Sequence, residues 1–119
     1  MSNAFVHVEL NTTDVDKAKT FYGKLLDWTL EDTRMGDLDY TMIKVGKGTG
    51  GGMMKQLIPG AGSEWLPYVD VPDIKAATKK AQDLGAKVMK DVSEVAGMGW
   101  LSIIVDPTGA MLGLWQTKS

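Results

Sequence analysis

Cysteine is absent from the 119 residues, which excludes disulfides, thiolate metal ligation and a cysteine nucleophile. Histidine occurs once, at His7. No apolar run approaches the roughly 20 residues a helix needs to cross a bilayer, and no charged segment followed by an apolar stretch opens the chain, so no membrane partner is expected. Basic charge is also scarce. The 13 Lys and Arg stand against 15 Asp and Glu, for a formal net charge of -2, and they are scattered along helical stretches instead of forming a stripe. Nucleic acid is therefore set aside as a partner. What is left is a soluble, cytoplasmic protein, long enough for one core and too short for two ordinary domains.

What the chain does have is an internal repeat. A strand-like run, Phe5-Val6-His7-Val8-Glu9-Leu10-Asn11, leads through Thr12-Thr13 into Asp14-Val15-Asp16-Lys17-Ala18, and 59 residues later Glu64-Trp65-Leu66-Pro67-Tyr68-Val69-Asp70 leads through Val71-Pro72 into Asp73-Ile74-Lys75-Ala76-Ala77. Asp14 maps onto Asp73, and His7 onto Leu66. A fixed period marks a duplicated supersecondary unit that cannot bury its apolar face alone. The halves run from about 5 to 56 and from 64 to 116 within a single domain, 1–119, and a ligand is expected in the cleft they enclose.

Alternation of Val6, Val8 and Leu10 with Phe5, His7 and Glu9 predicts a strand with one core face and one partly polar face. Thr13 or Asp14 caps a predicted helix near 14–26 with the stripe Val15, Ala18, Tyr22, Leu25. Its twin, near 73–84, carries Ile74, Ala77, Ala81 and Leu84 and closes on Gly85, with Asp27 at the corresponding stop of the first helix as a residue that tolerates positive φ. Further strands are expected from Trp28 to Asp32, Leu38 to Val45, Gly50 to Lys55, Ala86 to Val92, Trp100 to Val105 and Met111 to Gln116. The glycines Gly50-Gly51-Gly52 lack the GxxxxGK[ST] context and the following helix of a phosphate-binding loop, and they read as a hairpin loop where a backbone comes close. Asp106-Pro107-Thr108-Gly109 is a turn sequence.

The segment Asp14-Val15-Asp16-Lys17-Ala18-Lys19-Thr20-Phe21-Tyr22-Gly23-Lys24-Leu25-Leu26-Asp27-Trp28 and the ending Val105-Asp106-Pro107-Thr108-Gly109-Ala110-Met111-Leu112-Gly113-Leu114-Trp115, in two βαβββ halves, resemble the vicinal oxygen chelate superfamily of glyoxalases, bleomycin resistance proteins and dioxygenases. The loop Gly97-Met98-Gly99-Trp100 resembles its bacterial glyoxalase-like branch. The resemblance implies an α+β fold in which two tandem βαβββ modules form a curved, partly closed mixed sheet around a cleft. It also implies a divalent metal held by one side chain from each of four strands. Mapped onto this chain, those positions are His7, about Met53, Leu66 and Gly113. Only His7 is a metal ligand, because Leu, Gly and Met offer no hard oxygen or imidazole nitrogen. No metal and no cofactor are expected.

The expected catalytic pair is His7 and Glu9, two residues apart on one strand face. The expected ligand-binding set is His7, Glu9, Met53, Leu66, Tyr68, Trp100, Met111, Gly113 and Trp115: an apolar wall with a phenol, with a gap at Gly113 and with Trp100 as either a lid or a buried anchor. Eight methionines supply adaptable apolar surface. Two readings follow. One is a metal-free protein that binds a partly apolar small molecule; the other is a lyase or isomerase using His7 and Glu9. A homodimer is expected, since exposed strand edges and helix stripes invite a two-fold partner.

Overall fold

The computed structural model describes residues 3–119. In chain order the elements are β1 (Phe5–Thr12), α1 (Val15–Leu25), β2 (Thr29–Met35), β3 (Leu38–Lys44), β4 (Gly51–Lys55), β5 (Glu64–Asp70), α2 (Ile74–Asp83), β6 (Lys87–Val95), β7 (Gly99–Val105) and β8 (Met111–Thr117). The order βαβββ occurs twice, as the internal repeat requires. The fold is α+β with mixed strand pairing, and it divides into two compact units. One is His7–Leu66; the other joins the N-terminal residues through Val6 to Pro67–Ser119.

In the His7–Leu66 unit, β1 runs parallel to β4, while β2 to β3 and β3 to β4 are antiparallel. The registers Leu10 to Met53 and Thr41 to Met53 put those residues on one face of the sheet, and Glu9 and Met42, both opposite Gly52, on the other. Leu10, Ile43 and Met53 form the core of this unit, packed by Val15, Ala18 and Tyr22 from α1 and by Trp28, Leu30 and Val45. The α1 side is thus the apolar side. Asp14, not Thr13, is the N-cap, its Oδ1 accepting from the Lys17 N–H at 3.0 Å.

The second unit repeats the plan. β5 runs parallel to β8, and β8, β7 and β6 are antiparallel in turn. Residues at the N-terminus pair along β5, where the Asp70 N–H donates to the Ala4 carbonyl at 2.9 Å. Val71, Ile74 and Leu114 form the core, packed by Val69, Ala77, Val92, Trp100 and Leu112. The Asp73 side chain caps α2 through the Ala76 N–H at 3.1 Å. Between α2 and β7, Thr78 Oγ1 donates to the Ile74 carbonyl at 2.6 Å, which leaves the Ser102 hydroxyl to donate to Thr78 across 2.8 Å.

Helix endings differ from the sequence expectation. Gly85 is left-handed at φ 103° and ends α2 as anticipated. α1 instead leaves through Leu26 in extended conformation, its N–H bonded to the Tyr22 carbonyl, so Asp27 needs no positive φ and has none. At Asp106-Pro107-Thr108-Gly109 the Gly109 N–H bonds to the Asp106 carbonyl at 3.0 Å and Gly109 has φ 99°. Hydrogen bonds from the Thr108 side chain first, and from the Ala110 and Thr108 amides, hold the Asp106 carboxyl below its ordinary range.

Candidate functional site

On the face of the His7–Leu66 unit opposite α1, three polar side chains converge. Strand alternation places His7 and Glu9 on that face of β1, and the register through Gly52 places Tyr40 and Met42 there from β3. The Tyr40 hydroxyl donates to Glu9 Oε1 at 2.9 Å and lies 2.7 Å from His7 Nε2. The His7 and Tyr40 rings stack with centroids 6.2 Å apart and planes 22° from parallel. Glu9 is 8% exposed and Tyr40 5%. Burial lowers the His7 pKa below its ordinary 6.5, which favours the neutral ring.

Gly52 is what makes this arrangement fit. A Cβ there would overlap Cε2, Cζ and the hydroxyl of Tyr40, so only glycine leaves room for the ring. His7 and Glu9 share this face, and the bonds that link them run through Tyr40, a residue the sequence reading missed. Glu9 is a buried acceptor, not a solvated strand residue.

The face away from α2 in the second unit is apolar by comparison. The register puts Tyr68 opposite Gly113, and Met111, Gly113 and Trp115 alternate along one face of β8. The gap expected at Gly113 does not exist: a Cβ there would overlap Cγ, Cδ2 and Cε2 of Tyr68, whose ring already fills the space. Tyr68 is buried, Met111 and Trp115 are half-buried, and Trp115 Nε1 donates to Thr117 Oγ1 at 2.9 Å. Leu66, the last residue of the His7–Leu66 unit, is 2% exposed.

Two residues of the expected set lie elsewhere. Met53 is fully buried against Leu10 in the α1-side core, because the position equivalent to Gly113 is Gly52, and a slip of one residue reverses the face. Trp100 packs on the α2-side core beside Ala77 and Val92; it is an anchor and not a lid. Glu9 twins Tyr68 in the repeat, and the register pairs them with Gly52 and Gly113, which identifies Gly52 as the equivalent of Gly113.

Residues 4–114 match the family described as the Glyoxalase/Bleomycin resistance protein/Dioxygenase superfamily. The chain belongs to that superfamily. It is 35% identical over 117 residues to CFP32 of Mycobacterium bovis, whose name carries a provisional glyoxylase assignment; the alignment covers 93% of this chain and 44% of that protein. The chain thus spans less than half the length of this relative. Among solved structures, the hypothetical protein BH1468 from Bacillus halodurans superposes with a TM-score of 0.73 at 15% identity, covering 100% of this chain and 97% of that one. Methylmalonyl-CoA epimerase from Mycobacterium tuberculosis superposes at 0.71 with 17% identity, covering 97% and 88%. At such identities these likenesses show the fold. Among the described residues no helix is long and apolar enough to cross a membrane.

The superfamily's metal finds no fitting donor set here. Of the four mapped positions only His7 carries a donor, its Nε2 is committed to Tyr40, and the described residues contain no group of three or more His, Cys, Asp and Glu that could hold an ion. Moving the second position from Met53 to Gly52 changes nothing, since neither offers a hard ligand.

Proposed function

We propose that this protein binds a partly apolar small molecule without a resident metal, and that the His7–Tyr40–Glu9 trio is its recognition element. One observation carries the reading. A buried carboxylate, a phenol and an imidazole are joined by hydrogen bonds on a sheet face beside Met42, and of the four positions mapped from the superfamily only His7 carries a metal donor. Buried polar networks on otherwise apolar walls orient ligands, and a site that offers hydrogen bonds discriminates more sharply than apolar contact alone.

Metal analysis after purification without a metal-affinity step, followed by titration with Ni, Mn and Zn, tests the claim. Substoichiometric metal and no saturable binding are expected; one tightly held ion per chain would overturn it. A second reading, a lyase or isomerase, draws support from the same trio, since Tyr40 connects an imidazole to a buried carboxylate as an acid and base pair would require. Turnover of a small-molecule substrate that is lost in both His7→Ala and Glu9→Gln would favour it. A homodimer also fits: Phe21 and Leu25 stand 57% and 60% exposed on α1, and sedimentation at micromolar concentration distinguishes dimer from monomer. A cytoplasmic location fits the lack of cysteine.

A further inference from the structure

We infer that the groove between α2 and β6 binds a small primary ammonium ion with a flat apolar body, the ammonium pairing with Asp91 where the first module uses its own Lys19. The groove lies wholly within the Pro67–Ser119 unit, so it stands or falls apart from His7, Tyr40 and Glu9. Its volume is about 530 Å³, and its walls include Lys75 and Thr78 from α2, Asp91, Val92 and Glu94 from β6, and Trp100 from β7. Asp91 and Val92 are consecutive, yet both line it, because Lys90 pairs with Ile103 and Ser93 with Leu101. Three steps along β6 thus match two along β7. Such a bulge re-aims side chains that strict alternation would send to opposite faces.

The internal repeat points to the ligand. Its 59-residue period twins Lys19 with Thr78 and Asp32 with Asp91. In the first module these groups tie the helix to the sheet: Lys19 Nζ donates to both oxygens of Asp32, at 2.8 and 2.9 Å, and Thr41, across the ladder, donates to Asp32 at 2.9 Å. The second module keeps the carboxylate and loses both donors. Thr78 is too short to reach as Lys19 does and gives its proton to the Ile74 carbonyl, while Ser102, across from the bulge, bonds to Thr78. The Asp91 carboxylate accepts the Val92 N–H at 2.8 Å, and among the described residues no Lys or Arg pairs with it. An ammonium from outside the chain therefore meets the acceptor that Lys19 meets within it.

The other charges of the groove agree. Lys79 is turned to Asp83 at 3.3 Å, so Asp91 and Glu94 face one further ammonium, that of Lys75. The balance is one negative charge, which suits a single cation. Glu94 stands opposite Trp100 across the ladder, so carboxylate and indole share a face of the sheet. An indole face accepts flat apolar groups and organic cations alike.

Phenethylamine, its neutral counterpart phenethyl alcohol and the anion hydrocinnamate are the probes, followed through the indole N–H signals of labelled protein. The signal lost in Trp100→Phe assigns Trp100. The amine should bind about twofold to fivefold more tightly than the alcohol, the range of one exposed ion pair, and hydrocinnamate more weakly than either. Asp91→Asn, at an exposed position, should close most of that gap while leaving the fold unchanged. Thr78→Lys, which returns the first module's ammonium to the second, should do the same; if that variant does not fold, Asp91→Asn decides alone. Equal binding of amine and alcohol, or a gap that persists in Asp91→Asn, overturns the inference. A Trp100 signal that none of the three compounds moves overturns it as well.

Discussion

Each βαβββ module closes its sheet with a glycine covered by a tyrosine ring, yet the two rings arrive from opposite neighbours. At Gly52 the ring is Tyr40, from the antiparallel strand β3; at Gly113 it is Tyr68, directly across the parallel strand β5. That difference decides the chemistry. Tyr68 stands where the first module has Glu9, and Leu66 where it has His7, so the second module spends its phenol filling the position of the carboxylate. In the first module the carboxylate stays, and the phenol from β3 binds it to the imidazole. The packing solution recurs in both modules, and the His7–Tyr40–Glu9 bonds lie in the first.

Breaking the shared packing should have the largest effect. Gly113→Phe, which would be a mild change if position 113 were an open gap, should instead displace Tyr68 and cost about 3 kcal/mol or more, beyond ordinary overpacking. Gly113→Ala in a Tyr68→Ala background should recover part of the loss of the alanine single variant, because the two residues contest one space. Urea denaturation measures both. A Gly113→Phe protein with the parental midpoint would show the space to be open after all.

Tyr40→Phe comes next and probes the His7–Tyr40–Glu9 bonds of the first module. It keeps the ring over Gly52 but removes the donor to buried Glu9, and leaving such a group without that bond should cost about 1–3 kcal/mol. Glu9→Gln in the same background should restore part of it, since a neutral amide is less demanding to bury. No recovery in the double variant would mean that the trio is not one network.

The helix caps sharpen the comparison where the modules should agree. Asp14 and Asp73 each accept one amide bond from the third residue along, so Asp14→Ala and Asp73→Ala should each lose about 1 kcal/mol. Unequal losses would show that the caps have acquired different surroundings.

The charge of His7 should appear as a pH slope confined to the first module. Burial depresses its pKa in the folded chain, so the unfolded chain binds the proton more readily. Stability should then fall as pH drops from about 6.5 toward the lower folded value, by no more than about 1.4 kcal/mol per pH unit for one proton. Carboxylates add their own slopes below this window. Comparison with His7→Gln removes them, and identical curves for the two proteins would rule out the depressed value.

These contrasts also mark how far the sequence could be read. Both helices, all eight strands and the twinning of Asp14 with Asp73 followed from periodicity, because the signals are local. The pairing of His7 with Glu9 followed from alternation within β1. Tyr40 did not, since its place depends on how β3 registers against β4, and that register is set by contacts distant in sequence. Met53 shows the same limit from the other side: one residue of uncertainty in a glycine-led strand was enough to choose the wrong face.

The helix stripes give the smallest and last test. Periodicity placed Leu25 and Leu84 at the ends of the two apolar stripes, with spacings indistinguishable from those of Val15, Ala18 and Tyr22 or Ile74, Ala77 and Ala81. In the folded chain Leu25 is the final residue of α1 and is 60% exposed, while Leu84 is the cap residue of α2 and is 70% exposed. A stripe defines a direction around the helix, but burial also needs a neighbour at that height along the axis. Leu25→Ala and Leu84→Ala should therefore change stability by less than about 0.5 kcal/mol in the monomer. Tyr22→Ala, one turn earlier on the stripe of α1 and stacked against Trp28 and edge-on to Trp65, should cost several times more. Concentration dependence separates the remaining possibility: if Leu25→Ala lowers stability only at concentrations where the protein self-associates, the exposed end of α1 is covered by a second chain, and the monomer's indifference to the substitution still holds.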